Sequence, residues 1–193
     1  MPRGLSLSLV AGLIALAGCG HTPPMSLWKL SQVDASTVDI ASLRAAVLVP
    51  DALRPRIVTL VLSAPAQSGS APRTETFVLQ RVEEAHELAK LEDETVPGSQ
   101  HYIYRVGTAD VGRIEKFRAD VAAFRAAGGS SGGGKLSLGA QACRVGLLPP
   151  GPLLLTTYLK FESDGEYVPL ARNIDLRTYD DGQALLAKLP RCT

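Results

Sequence analysis

Little in this chain is concentrated enough to mark a reaction. It has three histidines and three cysteines among 193 residues. No Gly-x-Ser-x-Gly occurs, and no motif assembles the nucleophile, histidine base and orienting acid of a serine hydrolase. Zinc needs several ligands at short spacings, and His21, His86 and His101 all lie far from Cys143 and Cys192 in sequence. The acidic stretch Glu162–Glu166 lacks the twelve-residue ligand pattern of a calcium loop. Twenty basic residues stand against 19 acidic ones, without the basic excess that nucleic-acid binding normally requires. After the amino-terminal segment no stretch approaches the 18 uninterrupted apolar residues of a membrane-spanning helix.

What is present begins at the amino terminus. Arg3 precedes an apolar run from Leu5 to Ala17, broken only by Ser6, Ser8 and Gly12. As a helix, 13 residues at about 1.5 Å each reach roughly 20 Å. A hydrocarbon core of about 30 Å is not spanned, but the length suits the apolar region of an export signal. The run ends in Leu16-Ala17-Gly18-Cys19, which resembles the lipobox of bacterial lipoproteins. That resemblance implies diacylglyceryl modification of the Cys19 sulfur, cleavage before it, and acylation of the new amino terminus. Two or more chains exceed the marginal hold of a single one. Gly20 stands where Asp, in the enterobacterial pattern this resembles, retains lipoproteins in the inner membrane. The implied location is the periplasmic face of the envelope, at the outer rather than the inner membrane.

The expected organisation is a signal at residues 1–18, the lipidated cysteine and a tether at 19–26, and one α+β domain at 27–193. Cleavage would leave 175 of the 193 residues, with 19 basic residues matching 19 acidic. That length suits one domain with a real core. In an exported chain the two remaining cysteines, Cys143 and Cys192, are expected to be bridged.

Short segments with period-two alternation predict strands at Leu27–Val33, Leu43–Val49, Arg56–Ser63, Thr74–Val82, His101–Val106, Leu136–Arg144, Leu153–Phe161 and Tyr167–Asp175. Glu162–Glu166 reads as a hairpin loop. Val111, Ile114, Phe117, Val121 and Phe124 form one helical stripe, with Thr108 or Asp110 at its start and Gly128 at its stop. A shorter helix is expected from Asp181 to Leu189 and a helical turn around Val82–Leu91. Short connections favour antiparallel pairing. The expected fold is therefore a mainly antiparallel sheet, two-layered in one version, with the long helix packed on it and a short carboxy-terminal helix.

Candidate chemistry is sparse. Gly129-Ser-Ser-Gly-Gly-Gly-Lys135 matches seven positions of a phosphate-binding loop, but Leu136 stands where magnesium binding needs Ser or Thr. The loop also leaves a helix and enters a strand, the reverse of the order that aims helix amides at an anion. It reads as a linker. Glu92, Asp93, Glu94, Glu162, Asp164 and Glu166 are available as paired acids, yet all lie in turn-like stretches where burial is not expected to raise a pKa. His101-Tyr102-Ile103-Tyr104-Arg105 is the aromatic-rich strand. Tyr102, Tyr104 and Arg105 are candidate partner contacts, set against a reading in which the tyrosine rings face the core. Trp28 reads as a core anchor of the first strand.

The leading expectation is a lipid-anchored, non-enzymatic envelope protein with no cofactor and no metal, presenting its domain to an envelope partner or supporting envelope assembly. A second is a module binding a small molecule or lipid. Leu48-Val-Pro-Asp-Ala-Leu-Arg-Pro55 resembles a segment of the auxiliary lipoproteins of lipid-transporting ABC systems, which implies service to such a transporter. A third is a hydrolase using His101 and a carboxylate.

Overall fold

The computed structural model describes residues 38–64, 73–128, 135–179 and 182–193. The signal, Cys19, the tether, Trp28, the Leu27–Val33 strand and the Gly129–Gly134 run lie outside the described residues.

Among the described residues eight strands and three α-helices follow in order: β1 (Arg44–Pro50), β2 (Leu53–Ala64), β3 (Arg73–Val78), β4 (Gln80–Val82), α1 (Ala85–Ala89), β5 (Ser99–Arg105), α2 (Thr108–Ala126), β6 (Lys135–Arg144), β7 (Leu154–Lys160), β8 (Val168–Asp175) and α3 (Gly182–Ala187). A 3-10 turn at Glu92–Glu94 follows α1. The strands form a five-stranded sheet in the order β4-β5-β1-β7-β8 and a three-stranded sheet in the order β3-β2-β6. Every strand pair is antiparallel. This is the expected α+β class.

β1 sits at the centre because it is apolar on both faces. Its alternate residues Ala45, Val47 and Val49 enter one core, which also takes Leu53, Val58 and Leu60 of β2, Phe77 of β3, Tyr102 and Tyr104 of β5, and Ile114 of α2. One cluster thus joins both sheets and the long helix. The opposite residues Ala46 and Leu48 join a smaller cluster with Ile103, Tyr158, Tyr167 and Leu91. A strand that reads as a continuous apolar run rather than an alternation is one covered on both faces.

Two expectations need adjustment. The strand expected over Thr74–Val82 is divided at Leu79, whose amide donates to the Val58 carbonyl. There the chain leaves the three-stranded sheet as β3 and joins the five-stranded sheet as β4. The residue preceding α2 is Gly107, and no side chain caps it; Asp110 lies in the first turn and pairs with Arg113 at 2.7 Å. Pro55 and Ile57 flank a register irregularity between β2 and β6. A proline has no amide to donate, so it is tolerated where the ladder is interrupted.

Cys143 and Cys192 are joined in a disulfide closing 49 residues. The carboxy-terminal tail is fixed against the end of β6, with the Arg144 amide donating to the Pro190 carbonyl and the Cys192 amide to the Arg144 carbonyl.

Candidate functional site

The outer face of the five-stranded sheet, away from the three-stranded sheet, carries the densest polar chemistry. Antiparallel register aligns Arg105, Arg44 and Lys160 on β5, β1 and β7, and alternation places Ile103, Ala46 and Tyr158 in the next row on this face. Leu48 lies opposite His101 on β5 and Thr156 on β7. The segment from Glu83 to Gly98, which contains α1 and the 3-10 turn, covers this face. Within it only Glu87 and Leu91 are buried.

Three carboxylates of the covering segment reach three different strands. Glu84 lies 3.9 Å from Arg44 of β1. Glu87 accepts from the Lys160 ammonium of β7 and, at 2.8 Å, from the Tyr167 hydroxyl. Glu94 receives both guanidinium nitrogens of Arg172 on β8 at 2.7 Å, and the Tyr158 hydroxyl at 3.2 Å. The two-pronged geometry suits a guanidinium and a carboxylate. Lys160 also donates to the Ser163 carbonyl at 2.8 Å, and Lys90 reaches the carbonyls of Ser163 and Gly165.

These partners set the ionisation of the layer. Burial alone would push the Glu87 carboxyl up, but hydrogen bonds from Lys160 and Tyr167 outweigh it and hold it below its ordinary value. Hydrogen bonding from Arg172 holds Glu94 low against the opposing effect of burial. Burial raises the Tyr158 and Tyr167 hydroxyls, helped by Glu94 and Glu87 respectively. His101 is 8% exposed, and neither ring nitrogen has a hydrogen-bond partner among the described residues. Burial lowers its pKa, opposed by the Glu94 charge. Its ring lies 5.9 Å from that of Tyr158, tilted by 54°.

Glu84, His86 and Glu87 bring one donor atom each within 4.8 Å of one another. The Lys160 ammonium already occupies a Glu87 oxygen, so the group is better described as part of an ion-pair layer than as a metal centre. The carboxylates that are buried or paired here are already neutralised by cations, and none is hydrogen-bonded to His101. Among the described residues His101 therefore has no orienting acid, while the exposed His86 places its Nε2 3.6 Å from Glu84 and 3.4 Å from Glu87.

The rings of Tyr102 and Tyr104 lie in the core between the sheets, 4% and 3% exposed, and Arg105 is exposed. Arg81 stacks over Tyr102 with its guanidinium carbon 4.9 Å from the ring centre. Of the acids singled out in the sequence, Glu94 enters the polar layer, while Glu92, Asp93, Glu162 and Asp164 are exposed. Sequence reading missed Glu87, Lys160 and Arg172. The available signal was Lys160 at the end of a strand whose other face is apolar. Its partner lies 73 residues away, which no local pattern reveals.

No family model matches this chain, and no curated protein or solved structure matches it.

Proposed function

We propose that this chain is an envelope lipoprotein, held to the membrane by acyl chains on Cys19, whose domain acts by contact rather than by catalysis. The observation that carries the reading is the lipobox-like Leu16-Ala17-Gly18-Cys19 at the end of an apolar run too short to span a bilayer. The Cys143–Cys192 disulfide supports an oxidising compartment such as the periplasm. A polar layer given over to ion pairs supports a presenting role rather than a reactive one. Labelled palmitate incorporation compared with a Cys19→Ala variant tests the anchor; equal incorporation in both refutes it. Crosslinking in intact cells followed by purification tests the contact role, and an absence of any specific envelope partner counts against it.

A second reading is favoured by one feature. The Leu48–Pro55 segment, similar to auxiliary lipoproteins of lipid-transporting ABC systems, forms the corner where β1 leaves the five-stranded sheet and β2 enters the three-stranded one. A role beside such a transporter predicts phospholipid co-purifying with the domain in native mass spectrometry.

A further inference from the structure

We infer that residues 83–98 form an acid-released strap, fastened by ion pairs over a buried imidazole and able to lift from the sheet while the rest of the domain stays folded. The strap has little apolar attachment. Leu91 is its one buried apolar residue, whereas Leu88 and Val96 are 42% and 53% exposed. What fastens it are Glu84, Glu87 and Glu94, gripping Arg44, Lys160 and Arg172 on three strands. Ion pairs respond to protons and salt in a way that apolar burial does not.

His101 lies on the face that the strap covers, and its enclosure makes the device sensitive near neutrality; the strap's own imidazole, His86, is 70% exposed, with Nε2 3.6 Å from Glu84 and 3.4 Å from Glu87. It is enclosed without a hydrogen-bond partner. The groups around it are Glu94 from the strap, the Tyr158 ring from β7, Arg172 of β8, which stacks over that ring, and the neutral Leu48 of β1. Glu94 is already bound by Arg172, so an imidazolium formed here would be poorly compensated. Lifting the strap gives the imidazolium water. The closed state takes up the proton less readily than the open one, so falling pH favours opening. Lower still, protonation of Glu94 and Glu87 undoes the fastenings themselves. Opening bares Leu48, Ile103 and Tyr158, an apolar surface on the central strands.

Hydrogen exchange read by mass spectrometry on the full domain, corrected for the intrinsic pH dependence of exchange, tests this between pH 7.5 and 5.0. Protection across residues 84–98 is expected to fall below pH 6.5, the imidazole's ordinary value, at up to about tenfold per pH unit, the slope for one proton taken up on opening. Strand β2 around Val58–Leu62 is expected to keep its protection. His101→Phe, which keeps a ring against Tyr158, and His101→Gln should both flatten the strap's response over this range. One of them with a native far-UV spectrum suffices. A strap insensitive to pH, an equal loss in β2, or an unchanged slope in the folded variants would overturn the inference.

Discussion

The Glu87 carboxylate and the Lys160 ammonium bond directly to each other while 2% and 1% exposed, joining the covering segment to the last residue of β7. A charge pair so enclosed gains little over apolar replacements, because desolvation offsets the attraction, but breaking it strands one charge.

Glu87→Ala is accordingly expected to lower stability by about 3–5 kcal/mol, since it leaves the Lys160 ammonium unpaired. The double variant Glu87→Leu with Lys160→Met should recover most of that loss. Urea midpoints of the single and double variants provide the check. If the double variant is as unstable as the single, an uncompensated charge is not the cause.

Acid should weaken the domain in two stages. His101, Glu87 and Glu94 all have folded values below their ordinary ones. Each therefore binds protons more readily when unfolded, and its stabilising effect is present above the unfolded value and lost as pH falls through the folded one. The first decline begins near 6.5 from His101 and the second near 4.5 from the two glutamates. Tyr104 has the opposite sign. Burial pushes it up to about 12, so its contribution is present below 10 and fades as pH rises through the folded value. Thermal midpoints between pH 3 and 11 should trace a plateau with both shoulders, and His101→Gln should remove the first acid step alone.

Reduction of Cys143–Cys192 should cost up to about 4 kcal/mol on the chain-entropy account for a loop of 49 residues. The loss should centre on the tail around Pro190–Thr193 and its bonds to Arg144. Comparing denaturation with and without reductant, alongside a Cys143→Ala, Cys192→Ala double variant, measures it.

Two glycines should respond in opposite senses to alanine. At Gly182 an added methyl would collide with the Leu176 carbonyl oxygen, so Gly182→Ala should cost about 1–3 kcal/mol. At Gly112, inside α2, nothing lies within 4 Å, so Gly112→Ala should gain about 0.5–1 kcal/mol in helix propensity. Melting curves of the two variants, measured side by side, give the signs directly.

The inner faces of the strands were legible because apolar alternation reports one-sided burial. Leu155, Leu159 and Phe161 lie against the inter-sheet core as their spacing predicts. The long helix was legible from its stripe, although Val121 and Phe124 are only half-buried. Tyr158 and Lys160, reading as the outward set of β7, gave no sign that they too are covered, because their cover is a polar segment carrying Glu87 and Glu94. Ion pairing lets such a segment bury a sheet face without the apolar periodicity that sequence reading detects. The break at Leu79 was equally hidden. β3 and β4 share one extended pattern, and only the three-dimensional arrangement decides that they serve different sheets.

The alternation of strands between the sheets has a consequence for how the domain is made. The polypeptide passes from one sheet to the other between β1 and β2, β3 and β4, β5 and β6, and β6 and β7. β1 waits for β7, more than a hundred residues later, before both its edges are paired. No amino-terminal fragment can close either layer, so nascent chain should stay unstructured until its last third has arrived. Such distant pairings make folding slow.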